Sequence, residues 1–299
     1  RPLIEAVGGR LELVAEAPVP SPPRALEHVE SAHRQVDTSL GIFDTLLVTD
    51  GVAVDVEWHV ARLDASVRAV YGQTVRAGLE EAVQRKAAGL QGRHALRIDA
   101  VPVHDDVLVR MTTRPVLADD DAWTLVPRVI PGGLGAHKWV DRRALAHDPQ
   151  RDLDPLVLDD DGSVLETGRA SVFVVHDDGV HTPPLDGRIL PGTGRARVID
   201  RLLEAGIPVI QRRLTTADLI AAAEVFVANA LRGVVPVTSI EGIGAWAAGP
   251  LAASLRDGTT STTSLEDADS PLRGVAHARV LFIDNYDSFV YNLVQYLGE

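Results

Sequence analysis

The sequence predicts an α/β chain of two α+β units, a small one over residues 36–121 and a larger, strand-rich one over 122–246. Three observations carry that prediction. A hairpin, two helices and two further strands succeed one another in the first unit; short apolar strands dominate the second; and a polar stretch low in aromatics sets both apart from the C-terminal segment. At 299 residues and 45% hydrophobic, the chain has enough apolar surface for two modest cores.

From the N-terminus, residues 1–35 read as the end of a preceding domain joined to a linker: "RPLIEAVGG" has the pattern of a helix stopped by glycine, and "AEAPVPSPPRA" is too rich in proline for a helix or central strand. In "GIFDTLLVTDGVAVDVEWH" an apolar strand, an Asp50-Gly51 turn and a return strand make a hairpin. Val56, Val60, Leu63, Val67 and Val70 then recur at helical spacing, which places His59, Arg62 and Ser66 together on a neighbouring face. A second helix over about 76–90 and the strands "HALRIDAVPV" and "DVLVRMTTRPV" complete the small unit. In the larger unit "HDDGVH" is a hairpin turn, one helix opens after "LPGTGR" and another lies near 216–223, and "EVFVANAL" and "VVPVTSI" are strands. Residues 247–278 have linker composition, and 279–299, "RVLFIDNYDSFVYNLVQYLGE", return abruptly to an apolar strand and then a helix.

Composition narrows the chemistry. A formal charge of −13 argues against a nucleic-acid or anionic-membrane surface while leaving room for a local basic pocket, so the expected ligand is a small molecule. With no cysteine the chain has no disulfide, thiolate metal site or cysteine nucleophile. No apolar run approaches the ~20 residues that span a bilayer and no signal-peptide pattern opens the chain, so a cytoplasmic location is expected. The histidines show no His-x-x-x-His or His-Glu-x-x-His spacing and there is no Gly-x-Ser-x-Gly elbow, which leaves metal and serine-hydrolase readings without a signature. The runs "ADDDA" and "LDDDGS" read as solvated turns.

Three local features could carry chemistry. Among 29 Lys plus Arg, only Lys86 and Lys138 are lysines. Arginine stays protonated, whereas lysine can lose its proton, attack a carbonyl and hold it as a Schiff base; Lys138, in "LGAHKWVDRR", is therefore either a surface charge or an amine kept for that chemistry. Glu166, in "SVLETGRASVFVV", stands where one strand ends: it is either an exposed turn carboxylate or a buried one that needs a cationic partner, for which a protonated ring nitrogen is suitable. Gly192, Thr193 and Gly194 precede a helix, where they serve either as simple capping residues or as a backbone cradle for a phosphate.

Taken in order, "GIFDTLLVTDG", "HVARLDAS", "HKWVDRR", "VLETGRASVFVV", "GRILPGTGRARVI" and "EVFVANALRGVVPV" resemble the fold-type IV pyridoxal-phosphate enzymes. The resemblance covers about residues 36–245 and is greatest to the aminodeoxychorismate lyase branch, which releases 4-aminobenzoate and pyruvate for folate synthesis. It implies pyridoxal 5′-phosphate as cofactor, Lys138 as the lysine that bonds it, Glu166 as the carboxylate at its ring nitrogen, and Arg62 as an arginine at its phosphate. Backbone groups of Thr193 and Gly194, and those near Asn229 and Ala230, match the remaining phosphate contacts, with Leu190 beside the ring. Related aminotransferases carry a tyrosine shortly after the lysine and a Thr-Gly-Thr stretch in the late loop; here these positions hold Arg142 and "ANAL", and Arg142 is placed to pair with a substrate carboxylate or to serve as a structural arginine.

The sequence also departs from the pattern. The phosphate-loop threonine position is Gly194, with Thr193 one place earlier; Ser171 stands where an asparagine is usual; and the glycine- and arginine-rich substrate segment of stand-alone lyases is absent after residue 93. In this it resembles lyase domains fused to aminodeoxychorismate synthase. The C-terminal segment is similar to the opening of a glutamine amidotransferase, and "RPLIEAV" resembles weakly the end of a chorismate-binding component. The resemblance thus implies a piece of a larger polypeptide and a homodimer. Two other readings stay open: a branched-chain or D-amino-acid aminotransferase, and a non-catalytic scaffold domain of a synthase complex.

Overall fold

The computed structural model describes residues 2–7, 10–16, 36–116, 122–145 and 153–257. The proline-rich segment 17–35, the carboxylate run 117–121, and the polar linker and C-terminal strand–helix segment from 258 onward lie outside the described residues. The expected helix at the start is a strand: β1 (Pro2–Val7) pairs antiparallel with β2 (Arg10–Glu16). A segment this short gains little as an isolated helix, whereas antiparallel pairing of the two segments satisfies their backbone groups at once.

The small sheet has the order β4-β3-β5-β6, from β3 (Ile42–Thr49), β4 (Val52–Ala53), β5 (Arg93–Val103) and β6 (Asp106–Pro115). Asp50 and Gly51 both have positive φ, 47° and 84°, the geometry a tight two-residue hairpin requires. Helices α1 (Val56–Tyr71) and α2 (Leu79–Ala87) cover one face. Val60, Leu63 and Val67 of α1 and Leu79, Val83 and Ala87 of α2 pack there against Ile42, Leu46, Leu96 and Ile98. Strand alternation sends Phe43, Thr45 and Arg97 to the opposite face, which borders a cleft.

The second sheet is built from β7 (Trp123–Val129), β8 (Asp154–Leu158), β9 (Ser163–Thr167), β10 (Ser171–His176), β14 (Glu224–Asn229) and β15 (Gly233–Ile240), with four shorter strands, β11 (Gly179–Thr182), β12 (Val209–Gln211), β13 (Leu214–Thr215) and β16 (Gly244–Ala245), on its margins. The path β10-β14-β15-β7-β8-β9 closes on itself, because Ser171 at the start of β10 pairs with Glu166 of β9. Val172, Val174, Val225 and Val227 pack inside with Leu156, Leu158 and Val237. Their neighbours Phe173 and Phe226 face outward, stacked with ring centroids 5.0 Å apart, and meet Val198 and Leu202 of α3 (Thr193–Glu204). Strands covered on both faces explain why "VFVV" and "VFVA" are continuously apolar.

Besides the short α4 (Thr216–Ile220), one more helix occurs: α5 (Pro250–Asp257), which lies within the stretch that reads from composition as linker. Ala252 and Leu255 seat it on the same apolar layer as Phe226. The buried Glu224 carboxylate accepts from Leu251 and Ala252 N–H at 3.1 and 3.2 Å, capping its first turn. Long-range capping of this kind leaves no local sequence signature.

Candidate active site

The lysine loop is built by backbone pairing with the small sheet. Phe43 N–H donates to the Lys138 carbonyl at 2.8 Å, Val140 N–H to Gly41 at 3.1 Å, and Trp139 forms a bridge with Ile42. The Trp139 indole N–H reaches back to Leu134 O at 3.1 Å. Lys138 is thereby fixed on both sides, with its ammonium nitrogen 5.1 Å from the Phe43 ring centroid. Burial pushes its amine down to about 8, Asp44 opposing and the Arg62, Arg142 and Arg97 charges adding to the drop. Such an amine is still mostly protonated near physiological pH, but its neutral fraction is far larger than that of an ordinary lysine.

Glu166 is inward-facing and 5% exposed. The β9–β10 closure turns its carboxylate away from water, and both oxygens accept from Leu190 N–H at 3.3 Å. Burial raises its carboxyl to about 8, against the opposing pull of that N–H and of Arg142, Lys138 and Arg62. A buried carboxyl group with one long backbone donor among the described residues is suited to a cationic hydrogen-bond donor such as a protonated pyridine ring.

Arg62 leaves α1 toward the loop before α3. Its Nε and Nη2 donate to Asp44 at 2.9 and 2.8 Å, and Nη1 donates to Pro191 O at 2.8 Å. Asp44 also bonds His59 Nδ1 at 2.8 Å, and His59 Nε2 lies 3.3 Å from Thr193 Oγ1. Burial alone would raise the Asp44 carboxyl, but Arg62 and His59 hold it well below the usual carboxylate range. One carboxylate thus ties helix α1 to the start of α3.

That start has the backbone geometry to hold an anion. The α3 N-cap, Gly192, makes no side-chain cap bond, so the first-turn N–H groups face the cleft without a local acceptor. Gly194 sits against the end of β14: a Cβ there would lie 2.7 Å from the Asn229 carbonyl carbon. The Asn229 side chain caps its own turn, accepting from Leu231 and Arg232 N–H, so what it and Ala230 offer a ligand is backbone. Arg142 donates to Gly168 O and is itself largely desolvated, which lowers its guanidinium below the ordinary value while Glu166 opposes.

The nine candidate site residues line one cleft: Arg62, Lys138, Arg142, Glu166, Leu190, Thr193, Gly194, Asn229 and Ala230. Sequence reasoning missed Asp44, although its signal is present: it interrupts the apolar alternation Ile42, Leu46, Val48 with a charge. The His137 ring, beside the lysine, is a wall of the cleft and is bonded through Nδ1 to Ser66 Oγ at 3.1 Å.

Comparison with known proteins accords with this geometry. D-alanine aminotransferase of Bacillus licheniformis is 32% identical over 114 residues, 38% of this chain and 40% of that enzyme, so the match spans less than half the length of that relative. Among solved structures, 4-amino-4-deoxychorismate lyase from Pseudomonas aeruginosa superposes with a TM-score of 0.61 at 22% identity, covering 82% of this chain and 95% of that one. An aminotransferase from Brucella abortus bound to pyridoxal phosphate superposes with a TM-score of 0.65 at 21% identity, covering 84% and 95%. At these identities the two structures establish a shared fold. The sequence profile of amino-transferase class IV matches residues 41–240, a span that takes in the small sheet, all of the large one except β16, and every residue of the cleft, and the chain belongs to that family.

Proposed function

We propose that the chain is a 4-amino-4-deoxychorismate lyase, which eliminates pyruvate from aminodeoxychorismate to leave 4-aminobenzoate. Its cofactor is pyridoxal 5′-phosphate, and the donor set fits that group: a cradle of N–H groups and Arg62 for a phosphate, Leu190 at the ring, Glu166 at the ring nitrogen and Lys138 for the aldehyde carbon. When bound, the cofactor supplies an electron sink for the pair released from the substrate carbon that bears the amine. The protein does the rest. Glu166 holds the proton and positive charge at the ring nitrogen, Arg62 and the α3 start hold the phosphate, and Lys138 removes the proton from the amine-bearing carbon. The carbon–oxygen bond to the enolpyruvyl group then breaks, the ring becomes aromatic, which makes the step strongly downhill, and the departing enolpyruvate takes up a proton, balancing the one that Lys138 removed, to become pyruvate.

The observation that carries the lyase reading is Arg142. It stands four residues after Lys138, in the same cleft and beside Glu166, where it offers a guanidinium to a substrate carboxylate. The alternative, a branched-chain or D-amino-acid aminotransferase, is favoured by the likeness to D-alanine aminotransferase. A scaffold role accounts poorly for a buried Glu166 and Lys138 that cost stability. The resemblance of the two ends extends the reading to a longer polypeptide that also carries aminodeoxychorismate synthase and glutamine amidotransferase domains, and the resemblance to fold-type IV enzymes extends it to a homodimer.

The test is to supply aminodeoxychorismate with and without a keto acid. The lyase forms 4-aminobenzoate at the same rate in both, whereas strict dependence on the keto acid, with transfer of the amino group to it, identifies the aminotransferase.

A further inference from the structure

Beside the cleft that holds Lys138 lies a second one of about 1400 Å³, which shares Lys138, Arg142 and Arg169 with the first. In a chain of net charge −13 its charged lining is entirely basic: Arg97, Arg114, Arg142, Arg169 and Arg232 join Lys138, and no Asp or Glu lines it among the described residues. Low-dielectric walls of one sign focus the potential and select anions. Its floor is Phe43, with the Arg97 guanidinium 3.8 Å above the ring and that of Arg142 at 5.6 Å.

These arginines are not equivalent. Arg97 is paired with Asp99 at 2.7 Å and Arg169 with Asp154 at 2.6 Å, so each arrives largely neutralised. Arg114 is exposed, and its side chain has no hydrogen-bond or ion-pair partner among the described residues. Alternation along β6 explains where it points: Val107, Val109 and Met111 pack in the helix-covered core, which sends Thr112 and Arg114 to the cleft face. Across the ladder it stands opposite Ala95, whose methyl group leaves the space above β5 open.

We propose that Arg114 is a specificity-determining residue that receives the second carboxylate of a small ring-bearing dianion whose first carboxylate lies at Arg142. This rests on the reading of Arg142 as a substrate contact and adds to that loop residue one on β6 of the small sheet. The ring of the ligand lies toward Phe43, the two carboxylates span the junction of the clefts, and a monocarboxylate of the same size gains only half of the attraction.

The test uses the full chain loaded with pyridoxal phosphate and two unreactive probes, isophthalate and benzoate, with binding tracked by the cofactor's fluorescence. Wild type is expected to bind isophthalate about tenfold more tightly than benzoate, and this advantage should shrink as salt is raised. Arg114→Gln removes most of the advantage and leaves benzoate unchanged, Arg114→Lys restores part of it, and Arg110→Gln, on the same face of β6 but outside the cleft lining, keeps it. Equal affinities in wild type, an advantage that survives Arg114→Gln, or a matching loss for benzoate would each overturn the proposal. Lyase turnover is assayed on the same samples. An isophthalate advantage that depends on Arg114 in a chain making no 4-aminobenzoate sinks the lyase reading alone; normal turnover with an advantage indifferent to Arg114 sinks this inference alone.

Discussion

Glu166→Gln is expected to stabilise the cofactor-free chain while weakening its hold on pyridoxal phosphate. Folding raises the Glu166 carboxyl from 4.5 to about 8 because burial disfavours its charge. A carboxyl whose folded value lies above its unfolded one takes up a proton on folding, so the penalty grows as pH rises from about 4.5 to about 8 and is constant beyond. Each pH unit of displacement is worth about 1.4 kcal/mol, which sets a ceiling of about 5 kcal/mol. The glutamine amide must still be desolvated and keeps little beyond the Leu190 N–H, so a net gain of about 1–3 kcal/mol above pH 8 is the expectation. Urea unfolding of both proteins without cofactor, at about pH 5 and about pH 8.5, measures the difference directly, and effects of other titrating groups cancel in it. The variant should be nearly equal to wild type at the lower pH and more stable at the higher, and its affinity for the cofactor should fall. A stability difference that does not change with pH, or a variant less stable at the higher pH, would refute the reasoning.

The same geometry sets three further outcomes. Asp44→Asn leaves Arg62 and His59 without their shared buried counter-charge and should cost about 3–5 kcal/mol in urea unfolding at neutral pH; because Asp44 is held below the usual carboxylate range, that loss should narrow as pH falls and the wild-type carboxylate is protonated. Gly194→Ala places a methyl group against the Asn229 backbone, so cofactor affinity, read by titration, should drop by about tenfold or more while unfolding shifts by about 1–3 kcal/mol. Glu224→Ala removes the cap of α5 and should cost about 1–2 kcal/mol, with faster amide exchange at Leu251 and Ala252 and cofactor binding intact.

Much of the site is legible in the sequence because its chemistry requires unusual residues at ordinary places. Lys138 stands out by the scarcity of lysine, Glu166 by its position at the end of an apolar strand, and Arg62 by a helical offset that sets it beside His59 and Ser66. Register, by contrast, is not legible. The ring closes through a single pairing, Glu166 with Ser171, and nothing local distinguishes that contact from an ordinary hairpin end. The pairing of Asp44 with Arg62 depends on how β3 meets α1, and Arg114 reaches its cleft only because β6 pairs with β5 in one particular register. Helix α5 escapes a sequence reading for a related reason: short and opening on Pro250 just after Gly249, it owes its stability to Glu224 and the apolar layer beneath it.

The most direct test of the lyase reading is a product balance. The full chain, loaded with pyridoxal phosphate and given aminodeoxychorismate alone, should release 4-aminobenzoate and pyruvate in equal amounts, and Lys138→Ala, folded and with cofactor present, should release neither. Pyruvate-free consumption of the substrate, or equal turnover by the Lys138→Ala chain, would contradict the account.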